Sequence, residues 1–261
     1  MTTSASEESR EIVVVVGASG AFGTAIVQRL VGERRRVLGV GRDAGRLQAL
    51  QEAHGGAAGP VEVCVADLYQ DEAIGTLSAA IGERPVRAVV HGPGVPVAGG
   101  ILSAPTEAVV AAVDIKVGGL LRLVRAAESQ LADGSRIIAI GGHYGLEPVA
   151  YAATAGVANA ALFAAVRQLS LAFGPRGITA HSLAPGPADT PRLRRVAEDR
   201  AALRGTTPEE VLDQMRASSS IGQLTTPEQV AWAVSVLLAP EATVMNGSTL
   251  MLEAGRRRGL P

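Results

Sequence analysis

The stretch IVVVVGASGAFGTAIVQRL, residues 12–30, decides the fold. Five β-branched residues in a row, with no polar alternation, read as a strand buried on both faces. Gly17, Gly20 and Gly23 then open a helix over 21–31, with Ser19, Ala21 and Phe22 between them. Glycines permit the tight turn and let backbone N–H groups approach a pyrophosphate at the helix N-terminus. Strand, glycine-rich turn and helix together form the context of a dinucleotide-binding loop, although such a turn can also be purely structural. Outward from this unit the same alternation continues. Strands are expected over 12–16, 36–40, 61–66, 86–91, 136–140, 177–183 and 248–252, with helices over 21–31, 43–53, 70–81, 106–131, 149–173 and 227–239. Apolar strands separated by helices require a parallel sheet covered on both faces, wound by right-handed crossovers. The expectation is one doubly wound α/β domain over 11–261, with a seven-stranded, mostly parallel sheet and helices on both faces. Residues 1–10 form a polar, flexible tail. The stretch 186–226 breaks the alternation, and within it about 187–220 reads as a substrate lid.

Composition narrows the function. A formal net charge of −1 argues against nucleic acid or an acidic membrane surface as partner. The single cysteine, Cys64, lies in the apolar run VEVCVA and reads as a buried side chain. No uninterrupted apolar run approaches the ~18 residues of a membrane span. The polar, acidic start MTTSASEESR is unlike a signal peptide, so a cytoplasmic protein without a membrane or nucleic-acid partner is expected. Lys116 is the one lysine among 24 Lys and Arg residues. The second strand ends VLGVGRDAGRL. Gly41 stands where an acid would take the ribose 2′-hydroxyl of NAD, and Arg42 follows, which favours the 2′-phosphate of NADP. Ser19 and Arg42 are expected to share that phosphate, with NAD the less favoured cofactor.

The block SRIIAIGG followed by NAALFAAVRQLSLAFGPRGITAHSLAPGPADTP (135–142 and 159–191) resembles the short-chain dehydrogenase/reductase family, and the likeness extends over nearly the whole chain. The resemblance implies a Rossmann-type fold and a nicotinamide cofactor. It also implies roles for Asp67 and Leu68 beside the adenine, for Gly92 and Gly94 in VVHGPGV, and for Pro185, Gly186 and Thr190 in PGPADTP as a nicotinamide clamp. The family's Ser, Tyr and Lys do not follow. Counting back without gaps from GIT and LAPG places Gly142, Ala155 and Asn159 at those positions. A register starting at YAATA puts Tyr151 at the tyrosine but ends on Ala155 instead of lysine and needs compensating gaps. In the ungapped register Tyr151 lies one helical turn upstream of Ala155, where its side chain leans away from the nicotinamide.

A carbonyl receiving hydride needs its oxygen polarised or protonated. His143 and Tyr144, in GGHYG at the carboxyl edge of the sheet, and Tyr151 are the nearby candidates. Lys116 occupies the place of a catalytic Asn by resemblance, and a desolvated lysine can serve as acid or base. Each also has a plain structural reading: a loop histidine bonded to backbone, packing tyrosines, a space-filling lysine. His91 is expected under the cofactor and His181 in the core. Three readings stay open: an NADP-dependent reductase of a carbonyl or imine-type small molecule with a non-standard proton donor; a cyclase, isomerase or lyase holding NADP structurally; or a non-catalytic NADP-binding regulator. The arginines of the lid (Arg192, Arg194, Arg195, Arg200, Arg204) read either as partners of an acidic group or as a solvated helix face. By resemblance the chain forms a homodimer or homotetramer through helices 106–131 and 149–173, the latter presenting Ala160, Ala161, Ala164, Ala165 and Leu169.

Overall fold

The computed structural model describes residues 10–56, 59–96 and 99–259. The expected flexible tail, apart from Arg10, lies outside them. Seven strands form one sheet: β1 (Ile12–Val16), β2 (Arg36–Gly41), β3 (Val61–Val65), β4 (Val86–His91), β5 (Arg136–Ile140), β6 (Thr179–Pro185) and β7 (Thr249–Leu252). Their order is β3-β2-β1-β4-β5-β6-β7. Every pairing is parallel, so the sheet is wholly rather than mostly parallel.

The continuous valine run works as its pattern demands. Ile12, Val14 and Val16 face one core. Val13 and Val15 face the other. The two sides of one strand thus feed two layers, as the period of two in a strand requires. One layer holds α1 (Ala21–Gly32), α2 (Ala44–Ala53) and α9 (Pro227–Leu237). The other holds α3 (Glu72–Ile81), α4 (Thr106–Val113), α5 (Gly119–Ala127) and α6 (Ala153–Phe173). Helix α6 and its short continuation, Ala153–Arg176, are long and apolar enough to cross a membrane by length and composition alone. Here Leu162 and Val166 of α6 are buried in the core.

Three local departures bear on the site. The expected helix 106–131 is broken by a π-helical turn, Asp114–Gly118, between α4 and α5. Helix α6 begins at Ala153, not 149, so Tyr151 sits in the turn before it and the helical lean does not apply. The lid region folds into α7 (Pro191–Arg204) and α8 (Pro208–Ala217). Thr190 and Thr207 cap these helices, and each is followed by proline at the first helical position. Ala197, Ala201, Val211, Leu212 and Met215 bury one another in a third, small core. Leu169, expected on the outer face of α6, is instead buried in the main core, whereas Ala160 and Ala164 are exposed.

Candidate active site at the carboxyl edge of the sheet

A cleft of about 420 Å³ runs along the carboxyl ends of β1, β4, β5 and β6 and under α7. This is where ligands bind in open parallel sheets. One end is the glycine loop. Gly17 has φ of +80°, a conformation costly for other residues. A Cβ on Gly23 would collide with the Gly17 carbonyl oxygen. Gly20 caps α1 with no side-chain hydrogen bond and no acid in the first turn, leaving the helix N-terminus available to an anion. These residues therefore fit a dinucleotide pyrophosphate.

Arg42 lies over the Tyr69 ring at 5.6 Å from its centroid. Arg46, which the sequence reading did not single out, lines the cleft and donates to the Ser19 carbonyl. The signal was present: Asp43 caps α2 through the Arg46 N–H, which sets Arg46 in the first turn facing the glycine loop. Asp67 accepts from the Tyr69 N–H at 3.2 Å, and the Leu68 side chain is in the core. Neither Asp67, Leu68 nor Ser19 is among the cleft-lining residues, whereas Gly17, Gly20, Ala21, Phe22, Gly23, Gly92, Gly94, Pro185, Gly186 and Thr190 are. The Thr190 hydroxyl accepts from the Leu193 N–H and donates to the Ala188 carbonyl, so it shapes the clamp as the cap of α7.

Two of the positions that the ungapped count sets against the family's catalytic residues line the same cleft. Gly142 and Ala155 face it. A Cβ on Gly142 would fall 2.9 Å from the Asn159 amide nitrogen, which has moved into the space a serine would need. Asn159 is buried, and its amide oxygen has no partner among the described residues.

The four candidate catalytic residues separate clearly. Lys116 is 3% exposed and donates to the Ile140 carbonyl at 2.6 Å. Burial, and then the Arg192 charge, lower its pKa to about 7. It does not line the cleft. Beside it His91, fully buried, bonds the Ile115 carbonyl through Nε2 at 2.8 Å. Burial, then Lys116, lower the His91 pKa to about 3, so it is neutral and donates. These two side chains tie the π-helical turn to the ends of β4 and β5. His143 does line the cleft, but it is bonded to the Pro185 backbone, and burial followed by Arg256 lowers its pKa to about 4. At neutral pH it carries no proton to give beyond the one on its neutral ring. His181 lies in the core, bonded to Thr179 Oγ1 at 2.8 Å.

Tyr144 and Tyr151 come together. Their hydroxyls are mutually hydrogen bonded, their rings pack edge to face with centroids 5.9 Å apart, and both line the cleft. Burial, then Tyr151, raises the Tyr144 pKa, so Tyr144 keeps its proton. The Arg200 guanidinium lies 4.1 Å from the Tyr151 ring centroid. Among the described residues no group of His, Cys, Asp and Glu could hold a metal ion.

A family model described as enoyl-(acyl carrier protein) reductase matches residues 17–257. The short-chain reductase protein NovJ of Streptomyces niveus is 25% identical over 264 residues, covering 98% of this chain and 97% of NovJ. The short-chain dehydrogenase/reductase eriH of Hericium erinaceus is 29% identical over 263 residues, 95% of this chain and 98% of eriH. The crystal structure of L-sorbose reductase from Gluconobacter frateurii, complexed with NADPH and L-sorbose, superposes with a TM-score of 0.87 at 20% identity, covering 95% of this chain and 97% of that one. The chain belongs to the short-chain dehydrogenase/reductase family. By name NovJ is a short-chain reductase and eriH a short-chain dehydrogenase/reductase.

Proposed function

We propose that the protein is an NADP(H)-dependent reductase of a small carbonyl or imine-type compound, with Tyr151 as proton donor and Tyr144 as its support. The hydroxyl pair on the cleft wall, shared with the vacated positions Gly142 and Ala155, carries this reading. A reductase needs a proton donor facing the substrate, and these phenols place two hydroxyl groups on the cleft wall. When Tyr151 gives its proton to the substrate oxygen, the Tyr144 hydroxyl can donate to the oxygen left behind. The Arg200 guanidinium over the ring favours the developing negative charge. Lys116 and His91 then act as positioning residues for the π-helical turn rather than as acids.

For the cofactor, the glycine loop would hold the pyrophosphate, and Arg46 with Arg42 would favour a 2′-phosphate. The Gly41 tip without an acid, and solved neighbours bound to NADPH, support NADP over NAD. Bound NADPH would supply the hydride. The test is to titrate the purified protein with NADPH and NADH by fluorescence, then follow NADPH consumption over a panel of ketones, enones and cyclic imines. Tight NADPH binding with substrate-dependent consumption supports the reading. Turnover of a substrate with NADPH unchanged would replace it with the non-redox alternative.

A further inference from the structure

We propose that the substrate of this cleft carries an oxyanion, a carboxylate or a phosphate, held by Arg192 and Arg195 of α7 while its reducible group faces Tyr151. The inference rests on the reductase reading of the same site. The charged cleft-lining residues are Arg46, Arg192 and Arg195, and no Asp or Glu lines the cleft among the described residues. Arg46 belongs to the glycine-loop end, bonded to the Ser19 carbonyl. The other two stand three residues apart on α7, hence on one face of it. Neither makes a hydrogen bond or an ion pair with a described residue, whereas Arg194, on another face, pairs with Asp189 at 3.2 Å. A Cβ on Gly94 would fall 2.5 Å from an Arg192 guanidinium nitrogen, so that group reaches across the cleft to the end of β4.

The acids of α7, Glu198 and Asp199, are exposed and form no ion pair with either arginine among the described residues. Arg200, farther along this helix, covers Tyr151, and its buried Nε has no partner. The guanidinium of half-buried Arg192 and that of exposed Arg195 repel each other, and burial with Arg195 weakens the charged form of Arg192. An anion between them removes that cost, and paired guanidiniums recognise carboxylate and phosphate oxygens in a planar, two-point manner. The α7 N-terminus, capped by Thr190 with Arg192 in its first turn, adds a favourable dipole. The small core of α7 and α8 fixes the helix that carries these arginines, so the anion site is held by packing and not by a loop.

The competing source of negative charge is the cofactor's own phosphates, and the experiment separates the two. Three probes are used: benzoylformate, its methyl ester, and phenyl phosphate, each at millimolar concentration. Wild-type protein, R192M and R195M are first titrated with NADPH by fluorescence. Thermal melting of each NADPH-loaded protein is then measured with and without each probe, and NADPH consumption is followed with benzoylformate and its ester. The expected result is protection by the carboxylate or the phosphate but not by the ester. R195M should lose that protection with NADPH affinity kept within about threefold, and where benzoylformate is reduced its KM should rise about 10- to 100-fold, the scale of a charge-assisted hydrogen bond. Protection equal for acid and ester, or no protection by either anion, overturns the proposal. A loss of NADPH affinity in both variants without any change in anion discrimination assigns the pair to the cofactor and also overturns it. Anion protection without NADPH consumption by any compound would leave the anion site standing and remove the reductase reading instead.

Discussion

Replacing Lys116 with methionine should erase a pH dependence of folding stability. In the fold, burial and then Arg192 bring the ammonium from 10.5 down to about 7. In the unfolded chain it keeps its proton up to the ordinary value. Between these two pH values the unfolded state binds more protons than the folded state, so stability rises with pH. Each unit is worth about 1.4 kcal/mol, so from about pH 7 to about pH 9.5 the wild-type protein should gain on the order of 3 kcal/mol relative to K116M. Below pH 7 both states hold the proton and the difference becomes flat. Methionine nearly conserves volume, and its loss of the Ile140 hydrogen bond costs about 1–3 kcal/mol at every pH, an offset rather than a slope. Urea unfolding at several pH values, for both proteins, measures the difference directly. Parallel stability curves would refute the buried, depressed ammonium. A catalytic Lys116 would instead show as a changed pH profile of turnover in a protein of unchanged pH-dependent stability.

Tyr151→Phe should lower kcat about 100-fold or more, the usual contribution of a positioned acid, with Tyr144→Phe milder because it removes only the support; equal activity of Y151F and wild type in the NADPH assay would dismiss the proton-donor role. Arg46→Met should weaken NADPH about 10-fold while leaving NADH nearly unchanged, read from fluorescence titrations. Gly23→Val should abolish binding of both nucleotides, because even a Cβ collides with the Gly17 carbonyl; calorimetry that finds micromolar affinity retained would contradict the glycine-loop reading. Self-association is expected through α6, where Ala160 and Ala164 are exposed and Val157 and Leu171 are 41% and 59% exposed. Light scattering should then show a multimer that Ala164→Arg dissociates, and a monomeric wild type would exclude it.

Legibility in the sequence followed the range of the forces involved. A run such as Ile12–Val16 declares a doubly buried strand because burial on each face selects every residue separately, and Gly23 declares a close backbone approach because only hydrogen fits. The alternation of such runs with amphipathic helices left one sheet architecture, and an ungapped count set Gly142, Ala155 and Asn159 against the family's catalytic positions. All of this is local chemistry repeated along the chain. The pairing of the two cleft tyrosines was not local. Tyr144 and Tyr151 meet only because α6 starts at Ala153, a boundary that helix periodicity does not mark. Lys116 looked like a reactive ammonium until the π-helical turn aimed it at the Ile140 carbonyl of β5. Arg46 lines the cleft because the Asp43 cap sets the phase of α2, and Arg192 gained its place only when α7 packed on α8 above the sheet. Sequence by itself determined the frame and the glycine loop, since each depends on a residue and its immediate neighbours. Tertiary structure alone decided which side chains share the cleft and which are buried behind it, because those pairings arise from the packing of segments distant in the chain, and burial then sets whether a group can carry charge.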